Sequence, residues 1–230
     1  MGFIYSPSIV TDGLVLLLDA ANPKSYPGTG NTWFDISGNG LNFTRVGSPT
    51  WNSAGYFSNF SASNYFECNS ATGWTNILPT GDSPRTICAL VRRVTGVTYE
   101  HVLNYGISVT GQAYALAVLT SSGRVSDHRW GTSNSAGNVV TSGSDHFISS
   151  QYDTGAYPAS RFQLNKEFSN GSSNNTNLAT GTTTLRVGSR ISTPTEVWTG
   201  TISYVMVYNR ALSDSELIKN YSALRGRYGI

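Results

Sequence analysis

Thirteen carboxylates, three histidines and two cysteines are the groups in this 230-residue chain that could do acid–base, metal or thiol chemistry. Cleavage of a glycosidic bond with retention needs two carboxyl groups about 5–5.5 Å apart, one protonated and one ionised. Glu67, Glu100, Glu167 and Glu196 each stand without a neighbouring acid, and Glu216 has only Asp214 beside it. A catalytic pair would therefore have to be assembled by tertiary contact. His101, His128 and His146 are far apart in sequence, and none opens an H-x-H or H-E-x-x-H metal pattern. In Asp127-His128 the alternation of a strand sends acid and imidazole to opposite faces. The histidines read as surface or hydrogen-bonding groups, and no G-x-S-x-G nucleophile turn is present.

Two other patterns carry chemistry. Asp35-Ile36-Ser37-Gly38-Asn39-Gly40 sets oxygen donors Asp35, Ser37 and Asn39 at alternate positions with glycine sixth, like the first half of a calcium loop. Val46 stands where the closing bidentate glutamate belongs, which excludes an EF-hand-type site. An Asn-Gly turn whose backbone is satisfied by Asp35 and Ser37 explains the same run, so Ca2+ is the only cofactor the sequence raises. Sugar binding stacks aromatic faces on a pyranose and meets its hydroxyls with amides and carboxylates. Trp74, Tyr99, Trp130 and Tyr157 fall in or near expected loops, beside Asn76, Asp127 and Asn134, and are the candidates for that role. Trp33, Trp51 and Trp198 are assigned to the core or to sheet edges.

The elements that must position these residues follow from composition and periodicity. Only 12% of residues are charged, half the usual share, and 39% are hydrophobic, with 24 glycines. A helical bundle needs many charged residues on its outer face, and a disordered chain lacks such aromatic content, so the composition selects an all-β domain solvated by Ser, Thr and Asn. Short apolar runs alternate with Gly/Ser/Asn/Pro clusters. They predict strands at 14–19, 42–46, 65–68, 86–94, 101–105, 114–120, 124–130, 146–152, 161–164, 184–188 and 201–208. Residues 201–208 carry apolar groups on both faces, which predicts a central strand with Ile202, Tyr204, Met206 and Tyr208 sharing one side. Residues 169–183 read as a mobile surface loop. A helix begins after Ser213, with Glu216 completing a capping box and Leu212 and Leu217 forming a hydrophobic staple. Leu217, Tyr221, Leu224 and Tyr228 give it one apolar stripe.

The length suits one β-sandwich: an arm or first strand at 1–12 and a single domain at 13–230. Phe3, Ile4 and Tyr5 make that arm a candidate docking element. Cys68 and Cys88 lie in apolar strand-like runs and read as reduced core thiols. The net charge of +2 is dispersed, with Arg92-Arg93 the only adjacent basic pair, so no nucleic-acid footprint is present. Residues 14–18 are too short an apolar run for a signal or a membrane span.

Four segments resemble the laminin-G-like, or concanavalin A-like lectin/glucanase, superfamily: GLVLLLDA from Gly13 with DISGNG from Asp35; RTICALV from Arg85; His146–Tyr152 with FQLNKE from Phe162; and LRVG from Leu185, then WTGTI leading to VYNRALS at 207–213. The resemblance implies an antiparallel jelly-roll β-sandwich with one C-terminal helix. Glucanases of this superfamily carry E-x-D-x-x-E on one strand, which is absent here. Its calcium sites add an acid in a G-x-I-D segment, where this chain has Ser203. The opening run from Gly13 to Gly40 is also similar to laminin-G-like domains on virion structural proteins of tailed bacteriophages. That likeness implies a non-catalytic structural subunit on the particle surface, a capsid decoration or appendage, made in the host cytoplasm without a signal peptide. The partners then expected are other virion proteins, further copies of the chain and glycans, with neither nucleic acid nor membrane. A carbohydrate-binding receptor-recognition adhesin of a tail fibre or spike is the alternative, and a glycoside hydrolase is third.

Overall fold

A computed structural model describes residues 8–69, 73–94, 99–154, 159–171, 178–182, 184–191 and 196–230. In chain order the strands are β1 (Leu14–Asp19), β2 (Thr32–Trp33), β3 (Phe43–Val46), β4 (Thr50–Asn52), β5 (Tyr56–Ser58), β6 (Tyr65–Asn69), β7 (Arg85–Arg93) and β8 (Tyr99–Gly106). Then follow β9 (Ala113–Leu119), β10 (Arg124–His128), β11 (Ser133–Val139), β12 (Asp145–Tyr152), β13 (Ser160–Leu164), β14 (Glu167–Asn170), β15 (Thr184–Val187), β16 (Gly200–Tyr208) and the helix α1 (Asp214–Tyr228). One sheet runs β14-β13-β12-β7-β16-β5-β4, with β1 also on β16; the other runs β11-β10-β9-β8-β15-β6-β3-β2. Their strand pairs are antiparallel.

The sheets enclose a core in which Trp33, Phe57 and Phe66 meet with ring centroids 4.7–5.3 Å apart. Alternation explains which residues reach it: Tyr114, Leu116 and Val118 of β9 face inward, while Ala113, Ala115 and Ala117 face out. A second apolar layer lies on the far side of the first sheet. Leu17, Leu90, Phe147, Met206 and Tyr208 pack there against Leu212, Leu217, Tyr221 and Leu224 of the helix region. The stripe read from the sequence thus faces the sheet, and both halves of the Ser213–Glu216 capping box form. Val10 joins this layer: its N–H donates to Asn220 Oδ1 at 2.8 Å, and its carbonyl accepts from the Tyr208 hydroxyl at 2.9 Å. The residues 3–5 lie outside the described residues.

β16 is central, but its faces differ from the expectation. A register shift between Ile202 and Tyr204 turns Ile202 into the inter-sheet core beside Val205 and Val207, while Tyr204, Met206 and Tyr208 face the helix. Simple period-two counting cannot see a bulge. Within 169–183, β14 claims Ser169 and Asn170, and Leu178 and Thr180 are buried, so that stretch is not wholly a surface loop; 172–177 and 183 are outside the described residues. β2, β4, β5, β11 and β14 lack a strand signal because they are two to four residues long or, like SNSAGNV of β11, nearly devoid of apolar groups. Cys68 and Cys88 are buried, on β6 and β7 of opposite sheets.

Candidate functional site

The outer face of the second sheet collects the polar and aromatic groups. Cross-strand pairing lays Thr44, Glu67, Arg186, Asn104, Ala115, His128 and Ser133 in one row across six strand junctions. The alanines leave room at its centre. Gly188 ends β15 with φ +86°, where an added Cβ would lie 2.1 Å from the Phe60 ring, and from there the chain turns back over this face. The N–H of Ile191 donates to Asn104 Oδ1 at 3.1 Å, anchoring that return.

Two similar groupings result. Arg186 lies 4.3 Å from the Tyr65 ring centroid, and its Nε donates to Glu67 Oε2 at 2.6 Å. Arg190 lies 3.7 Å from the Trp130 ring centroid and is hydrogen-bonded to Glu196. Arg186 also donates to the Arg190 carbonyl at 3.2 Å, joining the two. Each combines an aromatic ring, a cation and a carboxylate, the chemistry that polyhydroxylated ligands use, with Arg186 partly exposed and Arg190 buried.

Trp130 stands in an unusual backbone position. It connects β10 to β11, with φ 56° followed by Gly131 at φ 71°, and the Arg129 N–H donates to the Thr132 carbonyl at 2.9 Å. Positive φ at both central residues is the requirement of a type I′ hairpin turn, where Asn-Gly is strongly preferred. A bulky side chain there is an outlier that costs about 1–3 kcal/mol. The indole is retained at a position whose backbone disfavours it.

Beneath Arg190, Glu196 reaches a pair of histidines. His101 Nε2 is 3.3 Å from Glu196 Oε2 and 3.1 Å from His128 Nδ1, and Tyr99 stacks on His128 with centroids 4.3 Å apart and planes at 9°. Alternation and the β8–β9–β10 register bring together histidines 27 residues apart, and the two are hydrogen-bonding groups, buried rather than at the surface. Burial pushes the His101 pKa down against the opposing pull of Glu196. Burial, and then the electrostatic effects of His101 and Arg190, take His128 down to about 3. Burial works against ionisation of Glu196, but the hydrogen bond and charge of His101, with Arg190, hold its carboxyl below the usual range. His146 is separate, held by Thr141 Oγ1 at 3.0 Å and Asn165 Nδ2 at 3.3 Å.

The sequence candidates divide accordingly. Tyr99 and Trp130 do lie on this face, both half-buried. Trp74 is fully buried with its ring edge-on to Tyr105 and offers no face to a sugar. Asp127 and Asn134 are also buried, pointing between the sheets: Asp127 accepts from Arg129 at 2.7 Å, from Ser160 Oγ at 2.6 Å and from the Asn134 N–H at 2.9 Å. Both are corrected from ligand contacts to parts of an internal polar network. Tyr157 is outside the described residues. Arg186, Arg190, Glu67 and Glu196 went unrecognised because no local spacing links them; only the pairing of β6 with β15 does so for the first pair.

In the 35–40 run, Asp35 Oδ1 accepts from the N–H groups of Leu17 and Ser37, each at 2.9 Å, and Oδ2 from Ser37 Oγ at 2.9 Å and the Leu41 N–H at 3.0 Å. Asn39 turns its amide nitrogen to the Val15 carbonyl at 3.1 Å. The loop is closed by its own donors, as the turn reading expects, and a calcium ion would have to displace them. The buried acids Asp19, Glu100 and Asp127 each sit against an arginine, Arg227, Arg93 and Arg129 respectively.

Two antiparallel sheets face to face, one covered by a C-terminal helix, define an antiparallel jelly-roll β-sandwich. No family model and no curated protein sequence matches the chain. Solved structures do match it in fold. Trypanosoma rangeli sialidase in complex with sialic acid superposes with a TM-score of 0.66 at 14% identity over 94% of this chain, which spans only 33% of the sialidase. The CBM40 of Ruminococcus gnavus IT-sialidase, bound to α2,3-sialyllactose, gives 0.55 at 17% identity, covering 73% of this chain and 98% of that module. Botulinum neurotoxin type C, whose cell entry depends upon interaction with two ganglioside molecules, gives 0.64 at 10% identity over 94% of this chain and 52% of its own. At these identities the likeness concerns the fold.

Proposed function

We propose that this chain is a non-catalytic glycan-binding module whose ligand lies on the outer face of the second sheet, around Trp130, Tyr99, Arg186, Glu67 and Tyr65. The observation that carries the reading is Trp130, held in a turn that disfavours it so that its ring meets Arg190 on that face. Similar folds that hold sialyllactose or depend on gangliosides support it. Among the described residues the buried acids Asp19, Glu100 and Asp127 are each held by an arginine, which weighs against their acting together as a catalytic acid and nucleophile. Titration of the full chain against a panel of sialylated and neutral oligosaccharides tests the reading. Arg186→Ala removes charge-assisted hydrogen bonds worth about 1.5–3 kcal/mol, so affinity should fall by roughly 10- to 100-fold. An unchanged affinity would contradict it.

The place of the module is proposed from the resemblance of residues 13–40 to phage virion proteins: a decoration or appendage subunit on the virion surface, made in the host cytoplasm. Phe3, Ile4 and Tyr5 are then the docking element, on an interface above about 1,000 Å² with a virion protein or another copy. Deleting residues 1–7 spares the Val10 anchor to Asn220. Particle association should be lost in that variant, and its persistence would argue against the arm.

A further inference from the structure

We propose that His101, His128 and Glu196 form a binding site for one divalent transition-metal ion, zinc being the best fit. One ligand atom from each lies within 4.8 Å of the others. Two edges of the triangle are 3.1 Å, between the imidazole nitrogens, and 3.3 Å, between His101 Nε2 and Glu196 Oε2. Tetrahedral zinc with bonds of about 2.0–2.1 Å to nitrogen and carboxylate oxygen keeps its ligand atoms roughly 3.3 Å apart. Both edges at His101 Nε2 match that spacing, and the third lies within 4.8 Å.

Hydrogen bonding alone satisfies this cluster poorly. Neutral His101 carries one proton. With it on Nε2, the ring can donate toward Glu196 and His128, but buried Nδ1 is left as an unpaired acceptor. With it on Nδ1, a buried donor is unpaired and the Nε2 lone pair confronts the carboxylate. Metal at Nε2 removes the lone-pair repulsion, replacing it with two bonds to a cation, and the unpaired Nδ1 proton is then the one cost that remains. Arg190 is the competing cation, since it bonds the same Glu196 oxygen; its stacking on Trp130 holds the guanidinium in place while the second carboxylate oxygen can take over the pairing. Two histidines and a glutamate leave the fourth position to water or ligand. The ion would tie the segment bearing Arg190 and Glu196 to β8 and β10.

The test uses the full chain stripped with EDTA and titrated with zinc chloride in competition with a chromogenic chelator. One equivalent should bind. Loss of a group that merely orients a ligand costs about 10–100-fold in affinity, so removing a ligand, in His128→Ala or Glu196→Gln, should weaken zinc at least tenfold. His146→Ala should change nothing. Binding well below one equivalent, or wild-type affinity in Glu196→Gln, would overturn the site. Should the variants fail to fold, cobalt(II) added to the wild-type chain decides: intense visible bands of a tetrahedral nitrogen and oxygen site support it, and their absence refutes it.

Discussion

Asp127 shows how much a single residue's role depends on which way its strand faces. By composition it belongs beside Trp130 as a sugar ligand; by register it opposes Leu116 on the inward face and neutralises Arg129 instead. Arg129 in turn lies 4.7 Å from the Tyr152 ring centroid, so the pair is enclosed between the sheets. Asp127→Asn keeps the shape but leaves the arginine charge buried without its partner, which should destabilise the fold by about 3–5 kcal/mol in a denaturant melt. At temperatures where that variant stays folded, glycan affinity should be near wild type. The sequence singled out Tyr99 and Trp130, which lie half-buried on the outer face of the second sheet, together with Asn134, which is buried. It could not rank Trp74 against them, because both kinds of tryptophan flank short strands and only packing buries one.

At the scale of elements, the helix was legible in full because its signals are local. Ser213, Glu216 and the apolar stripe lie within sixteen residues, and Gly229 ends the helix at φ 70°. Arg210 grips Glu216 through both nitrogens at 2.9 and 2.6 Å, and with the Ser213 N–H this lowers the Glu216 carboxyl to about 2. A depressed carboxylate stabilises the fold above its ordinary pKa, and that contribution is lost as pH falls from about 4.5 toward about 2. Stability measured across this window should drop more steeply in the wild type than in Glu216→Gln, whereas parallel curves would show that the cap is not coupled to folding. The strands were legible where alternation or apolar runs marked them. β11 was not, since its residues are held by pairing with β10 and carry no pattern of their own. The bulge in β16 was hidden for a related reason: it shows only in the pairing with β7.

For the whole molecule, the architecture has three layers, helix, sheet and sheet, and the two apolar seams occupy both sides of the first sheet. That leaves the second sheet's outer face as the broad surface not covered by the helix. In a chain of low charge, two Arg–Glu pairs lie on that face, Arg186 with Glu67 and Arg190 with Glu196. Paired charges lower the cost of desolvation when a polar ligand docks. The residues that compose the face, at 65–67, 99–101, 128–130, 186–190 and 196, are dispersed across the chain, so no window of sequence could display it. The most direct test of a ligand site on this face is Trp130→Asn, assayed side by side for stability and for binding to the oligosaccharide panel. Asparagine suits the type I′ turn, so relief of about 1–3 kcal/mol of backbone strain should offset the lost Arg190 contact and leave the melt close to wild type. Glycan binding should nevertheless fall at least tenfold. Wild-type binding in a folded Trp130→Asn chain, or no binding of any oligosaccharide by the parent, would contradict the account.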